Sequence, residues 1–498
     1  MRILFIIGIF ICTSIQAVEI STLQEAIDLG KNGEQLEQEQ SYSEALNLTR
    51  QAIFKTQQIT DNKQAWLIRW KWQLGRILKS QGNISSAIEA YTQAINILVP
   101  EEGFQWETQS NSLLYKKLRT MFLELIDLLL QQQDLTEAIL TIEKLKQVGL
   151  RNYFGECFRN KVKTPINAVP KQTAIIYPIL LSERLELLVK INSQIINKTV
   201  YIKHKTITKT VTNFLIQLQK GYNDKQNKDY LTDSQQLYNW LILPLLPLLN
   251  EHGINSLVFV PEDILNVLPI AALHDGEKFI VQEFGVAITP TLSLTESSKK
   301  FNTTKVLLGA ITEHVQGYRR LNNAIREIDT ITNLYDEDVL LNKDFTKGNF
   351  TDHLSRYNYD IVHIVSHAEF AKNIMDSFIL TYNSKLTLNE LEKYIESNNR
   401  TIDLITLSAC NTATGDQGWA ALGLSGIALK AGAKSALATL WKVDDKATSF
   451  LIKRFYKNLR SSSKIKALQK TQNEFLDPRS KYPHPFYWAP LILIGNWM

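Results

Sequence analysis

Three cysteines, Cys12, Cys157 and Cys410, are all that 498 residues contain, so neither a disulfide framework nor a four-cysteine zinc site is available. No histidine precedes residue 200, which removes that region from imidazole chemistry. Charge of one sign is also scarce. Against 55 basic residues stand 50 acidic ones, a net +5, so the whole-chain field gives no reason to expect nucleic acid as the main ligand. Beyond the first residues there is no apolar run of the ~18 residues that a spanning helix needs, and the Leu-rich stretch Leu241 to Leu249 is broken by Pro244 and Pro247. A phosphate-cradling G-x-x-x-x-G-K-[ST] is missing, which leaves nucleotide hydrolysis unsupported. Gly423-Leu-Ser425-Gly426 lacks the spacing of a serine nucleophile elbow.

What remains is a globular composition, 44% hydrophobic and 21% charged, too apolar for a disordered chain and sufficient for large cores. At roughly 150 residues per domain the length predicts about three domains, or two if one is a large α/β unit. Residues 1–17 read as a secretory signal: Arg2 is the basic start, Ile3 to Ile11 the apolar run, and Ala17 the small residue at the cut. The expected mature chain is exported, periplasmic or secreted, with no transmembrane span and only Cys157 and Cys410 as thiols. An uncleaved anchor is the competing reading.

Residues 18–150 have helical periodicity, and Pro100 is the one proline among them. Small or medium residues recur at offsets of +4 and +7: Ala45, Thr49, Ala52; Ala87, Tyr91, Ala94; Ala138, Ile142, Leu145. With Leu74-Gly75 twelve residues before Ala87, the middle unit resembles a tetratricopeptide repeat of paired antiparallel helices. A plain helical bundle has the same offsets on one face. Neither reading gives the region chemistry, and a partner-binding surface is its expected role. Pro165 and Pro170 mark residues 151–172 as a linker. Residues 173–498 then alternate β-branched runs with amphipathic helices, predicting an α/β domain whose sheet is mostly parallel. The seven lysines from Lys198 to Lys228 have few aromatics between them and predict a solvated edge ribbon and helix rather than a nucleic-acid site.

Two apolar runs end in reactive residues. Asp360-Ile-Val-His363-Ile-Val-Ser-His367 is one; Ile402-Asp-Leu-Ile-Thr-Leu-Ser-Ala-Cys410, followed by a glycine-containing polar loop, is the other. In a parallel sheet the carboxyl ends of the strands share one edge, where ligand crevices form. Adjacent strands would bring His367 and Cys410 within reach, and imidazole is the base a thiol needs to become a nucleophile near neutral pH. The competing reading makes Cys410 a buried structural thiol and His367 a satisfied loop histidine. His363 lies inside its strand and reads as a core residue. A His-His-Cys metal site has no recognised ligand spacing here, so neither metal nor cofactor is expected.

Together with Leu407-Ser-Ala-Cys-Asn-Thr, Leu440-Trp-Lys-Val-Asp-Asp445, Val260-Pro-Glu-Asp, Ala324-Ile-Arg-Glu-Ile and the closing His484-Pro-Phe-Tyr-Trp-Ala, these residues resemble the CHAT domain over about 170–498. CHAT is a caspase-like cysteine peptidase family often joined to tetratricopeptide repeats. The resemblance implies a caspase-like α/β domain and a cysteine endopeptidase with His367 as general base and Cys410 as nucleophile. Backbone N–H groups of Cys410 and Ala368 would bind the oxyanion. Ala368 stands where that family often has glycine, a residue with left-handed freedom that alanine lacks. Partners would be a protein substrate and a regulator held by the repeats, and the rival is a catalytically silent scaffold. Caspase-like relatives that prefer basic residues use acidic pockets. Asp444, Asp445 and Asp416 are therefore candidates to select Lys or Arg before the cut bond, although Asp444 or Asp445 as a helix cap is an equal alternative.

Overall fold

The computed structural model describes residues 2–61, 63–99, 112–154, 169–292, 304–321, 323–369, 377–396, 402–408, 433–441, 443 and 445–498. It forms two compact units, Met1–Val148 and Gly149–Met498.

Among its described residues the first unit contains six helices: α1 (Arg2–Gln38), α2 (Tyr42–Gln57), α3 (Gln64–Ser80), α4 (Ile84–Leu98), α5 (Ser112–Gln131) and α6 (Leu135–Phe154), the last running past the unit boundary. The three matched triples sit on α2, α4 and α6, and all nine of their side chains are buried. The repeat extends to the turns. Gln40, Gly82 and Gln133, each five residues before Ala45, Ala87 or Ala138, take positive φ of 63°, 77° and 59°. At each turn the following N–H reaches back five residues, Ser41 to Leu36 O, Asn83 to Leu78 O and Asp134 to Leu129 O, at 2.9 Å in all three. These are Schellman ends, which satisfy the orphan carbonyls of the incoming helix. Only the middle turn has the glycine that carries no steric penalty there. Glu124 of α5 then ties two helices together, accepting from Trp72 Nε1 at 2.7 Å and from Tyr91 Oη at 3.0 Å. At Gly75 an added Cβ would lie 2.7 Å from the Tyr91 ring, so the small residue lets α3 approach α4. The expected cut after Ala17 falls within α1. Among the described residues no helix is long and apolar enough to cross a membrane.

The second unit is built on strands β1 (Thr173–Leu180), β2 (Leu185–Ile191), β3 (Gln194–Val200), β4 (Ser256–Phe259), β5 (Gly285–Ile288), β6 (Lys305–Ala310), β7 (Asp336–Leu341), β8 (Ile361–Val365), β9 (Ala368–Glu369), β10 (Phe378–Leu380), β11 (Lys385–Thr387), β12 (Ile402–Ser408), β13 (Ala433–Thr439) and β14 (Leu491–Gly495). Its helices are α7 (His204–Lys220), α8 (Tyr230–Leu241), α9 (Leu246–Glu251), α10 (Ala324–Thr332), α11 (Lys347–Arg356), α12 (Leu388–Glu396), α13 (Asp445–Leu459), α14 (Lys464–Phe475) and α15 (Pro485–Trp488). Among the described residues eleven strands form one sheet in the order β3-β2-β1-β4-β5-β14-β13-β12-β8-β6-β7. β13 through β7 run parallel, as do β1, β4, β5 and β14, and the two sets meet antiparallel at β13 and β14. The central strands are buried on both faces, which is why they read as continuous apolar runs. β3, exposed or half-buried along its whole length, is the outermost strand, an edge ribbon as expected for the segment that opens the lysine-rich stretch at Lys198. β9, β10 and β11 form a separate small sheet.

His484 shows how this unit depends on pH. Its Nδ1 accepts from Phe486 N–H at 3.0 Å, so Nε2–H donates to Asn227 O, also at 3.0 Å. The ring is buried against Gly221, where an added Cβ would meet it at 2.1 Å. Burial holds this imidazole down at about 4 from its ordinary 6.5. The unfolded chain therefore takes up the proton first, and the stability His484 contributes is full above pH 6.5 and lost as pH falls towards 4. At pH 5 the loss should be ~2 kcal/mol. Unfolding free energies from urea titrations at pH 7.5 and 5 should differ by that much less in His484→Asn, whose side chain can keep the cap. Equal pH sensitivity in both proteins would refute the assignment.

Candidate active site

In chain order β6 and β7 build one flank of the parallel half-sheet, and β8, β12 and β13 build the other. The order reverses between β6 and β8, and crevices open outside the carboxyl ends of strands at such a switch point. His367 follows β8 by two residues and lies there, half-buried. The segment after β6 meets it. Val315-Gln-Gly-Tyr318 makes a tight turn in which Tyr318 N–H donates to Val315 O at 2.8 Å. Gln316 and Gly317 take φ of 49° and 83°, the two positive values that a type I′ turn requires. Gln316 Nε2 anchors the turn to Thr381 O at 2.8 Å. Tyr318 thereby packs its ring 5.1 Å from that of His367, and Arg319 O lies 2.7 Å from His367 Nε2.

A carbonyl only accepts, so this contact assigns the proton to Nε2 and leaves the lone pair on Nδ1. The neighbouring residue is also informative. Ala368 lies in β9 opposite Ile379, while Leu380 N–H donates to His367 O at 2.8 Å. Bonded and non-bonded pairs alternate in an antiparallel ladder, so the Ala368 N–H points away from β10. Its backbone is a strand backbone without positive φ, and glycine is not required at this position.

Behind the edge lies a buried polar network that joins four elements. His363 on β8 is 0% exposed and Glu327 on α10 is 3% exposed. Glu327 Oε1 lies 2.8 Å from His363 Nε2, a close polar contact without hydrogen-bond alignment, and its Oε2 accepts from Ser408 Oγ, on β12, at 3.0 Å. His363 Nδ1 is 3.0 Å from Tyr456 Oη of α13, which donates to Thr406 Oγ1 at 2.9 Å. Burial pushes the Tyr456 hydroxyl well above its ordinary value, which keeps it a neutral donor. His363 is thus a core residue with a structural partner, as its place inside the strand implied. Among the described residues no group of three His, Cys, Asp or Glu gathers to hold a metal.

The register of the two key strands is direct. Ser408 of β12 pairs with Val365 of β8, and two further residues lead to Cys410 on one chain and His367 on the other. Cys410 itself lies outside the described residues, as do Cys157, Asp416 and Asp444. Asp445 is the first residue of α13, which follows β13, the neighbour of β12. The turn at Gln316, the Arg319 carbonyl and the Glu327 network were not singled out from the sequence. The paired Gln-Gly was the available signal for the turn. A backbone carbonyl leaves no signature in residue type.

No curated protein matches the sequence. Among solved structures, two crystal structures of the Saccharomyces cerevisiae separase–securin complex are similar, both 10% identical. One has a TM-score of 0.44, covering 95% of this chain and 40% of that one; the other has 0.45, covering 91% and 37%. This chain therefore spans about two fifths of the length of those chains. The sequence matches the CHAT domain over residues 232–496, and the architecture agrees with the one expected for it, helical repeats and then a mostly parallel caspase-like α/β domain. With more than half of its length in that match and His367 at the sheet's switch point, this chain belongs to the CHAT domain family.

Proposed function

We propose that the chain is a cysteine endopeptidase acting through Cys410 and His367. The observation that carries this reading is the contact of His367 Nε2 with Arg319 O at 2.7 Å. It orients the ring and reserves Nδ1 as the base. In the proposed reaction Nδ1 takes the Cys410 thiol proton and the thiolate sulfur attacks the scissile carbonyl carbon. The oxyanion that forms accepts from the N–H groups of Cys410 and Ala368, contacts worth ~3 kcal/mol of barrier each in comparable sites. Collapse breaks the C–N bond, and the imidazolium returns its proton to the leaving amine. Water, deprotonated by the same Nδ1, then hydrolyses the thioester and frees the sulfur.

A protein substrate or a regulator would be recruited by the repeat unit, whose stacked helices present a long surface. We place the protein in the periplasm or outside the cell, and assign Asp444, Asp445 and Asp416 to a preference for Lys or Arg before the cut bond. The test is to incubate the purified chain and its Cys410→Ala variant with whole periplasmic or secreted protein and map new amino termini. Termini produced by the wild type alone, after Lys or Arg, are expected. Identical termini from both proteins would overturn the peptidase in favour of a scaffold.

A further inference from the structure

Between α10, α13 and residues 477–482 lies a groove of about 1270 Å³. Its lining is strongly biased in charge. Arg326, Lys446, Lys453, Arg454, Lys457, Arg479 and Lys481 face Asp329, Glu474 and Asp477, an excess of four positive charges in a chain whose total is +5. The fold uses part of this set internally: Arg454 pairs with Glu474 at 3.1 Å and Arg479 with Asp477 at 2.8 Å. Among the described residues, Arg326, Lys453, Lys457 and Lys481 have no carboxylate within ion-pairing distance, and all four are exposed.

Lys446, Lys453 and Lys457 follow one another on α13 at +7 and +4, one face of the helix. Arg326 faces them from α10, which packs against α13. Like charges at i and i+4 weaken a helix, so neither folding nor helix stability calls for this arrangement. The groove begins where α10 and α13 start, next to the segments that follow β6 and β13, at the sheet edge that carries His367.

We propose that this groove docks an acidic segment of a polypeptide partner. A volume of about 1270 Å³ exceeds the ~300–1,000 Å³ of ordinary small-ligand pockets, and a segment lying in it would continue past the His367 edge. The three carboxylates in the lining argue against a polyphosphate backbone, which brings a dense row of anions against them. An acidic peptide can hold its own carboxylates towards α13 while its amides meet those acids. This docking goes beyond the peptidase reading and does not need it.

The probe is a fluorescein-labelled peptide of Glu, Asp and Ser, with a Gln, Asn and Ser counterpart, titrated by anisotropy against the full chain at low salt. The acidic peptide should bind and the neutral one should not. Reversal by Arg326→Glu, Lys453→Glu and Lys457→Glu together should weaken binding by about tenfold or more, as should high salt. The same change of sign on α7, Lys205→Glu with Lys209→Glu, should leave it intact; circular dichroism verifies folding of both proteins. No binding, or equal loss in both reversals, overturns the proposal. So does tighter binding of an oligouridine probe that is lost in the groove variant. No turnover enters the measurement, so a chain without peptidase activity is judged on the same curves.

Discussion

Replacing His367 with Ala should lower proteolysis by about 10³-fold or more, and Cys410→Ala should leave none above background. His367 is held at a strand end by one carbonyl and one aromatic ring, with Nε2 committed to Arg319 O at 2.7 Å and the Tyr318 ring tilted against it at 5.1 Å. Losing this half-buried ring opens no large cavity, so the urea midpoint should shift by less than the equivalent of about 1 kcal/mol. The measurement is single-turnover cleavage of a peptide spanning a mapped terminus. Retention of a tenth of wild-type rate in folded His367→Ala would sink the dyad. Loss of activity together with loss of folding would instead make His367 a structural residue. Tyr318→Ala, which keeps the carbonyl contact, should cost far less.

The second large effect lies behind the sheet. Glu327→Ala should destabilise the second unit by about 3–5 kcal/mol, because it strands a fully buried imidazole and a buried hydroxyl at once. Both partners are fixed: His363 Nε2 at 2.8 Å and Ser408 Oγ at 3.0 Å. With total stabilities of roughly 5–15 kcal/mol, such a loss approaches unfolding. Glu327→Gln supplies the informative comparison, since an amide can still accept from Ser408 while its other end faces His363. It should recover most of the folding free energy in urea titrations followed by circular dichroism. A loss below about 1 kcal/mol in Glu327→Ala would show that the network is wet or dispensable. Ser408 ends β12 two residues before Cys410, so Glu327→Gln should also alter turnover more than substrate affinity if it positions that strand end.

Much of this was legible in residue order because it is local. The triples on α2, α4 and α6 mark the buried faces since helical periodicity is set by the backbone. The apolar runs read to end at His367 and Cys410 contain β8 (Ile361–Val365) and β12 (Ile402–Ser408), since a strand buried on both faces must be apolar throughout. β7, which opens on Asp336-Glu-Asp338, was missed: its acidic, partly exposed start breaks that pattern. Glu327 stood in the run Ala324-Ile-Arg-Glu-Ile, but its buried contacts with His363 and Ser408 form only when α10 packs on the sheet.

The helical repeats, the succession of α and β elements, and the ends of the two strands that lead to His367 and Cys410 could be read from residue order alone. Each follows from short-range sterics and hydrophobic period. Long-range packing alone set β14 between β5 and β13, parallel to the first and antiparallel to the second, reversed the strand order beside His367, and brought the Arg319 carbonyl and Glu327 to where they rest. Those choices depend on contacts between residues far apart in the chain. Their free energy comes from closing the sheet and satisfying buried polar groups together, and no window of local sequence contains it.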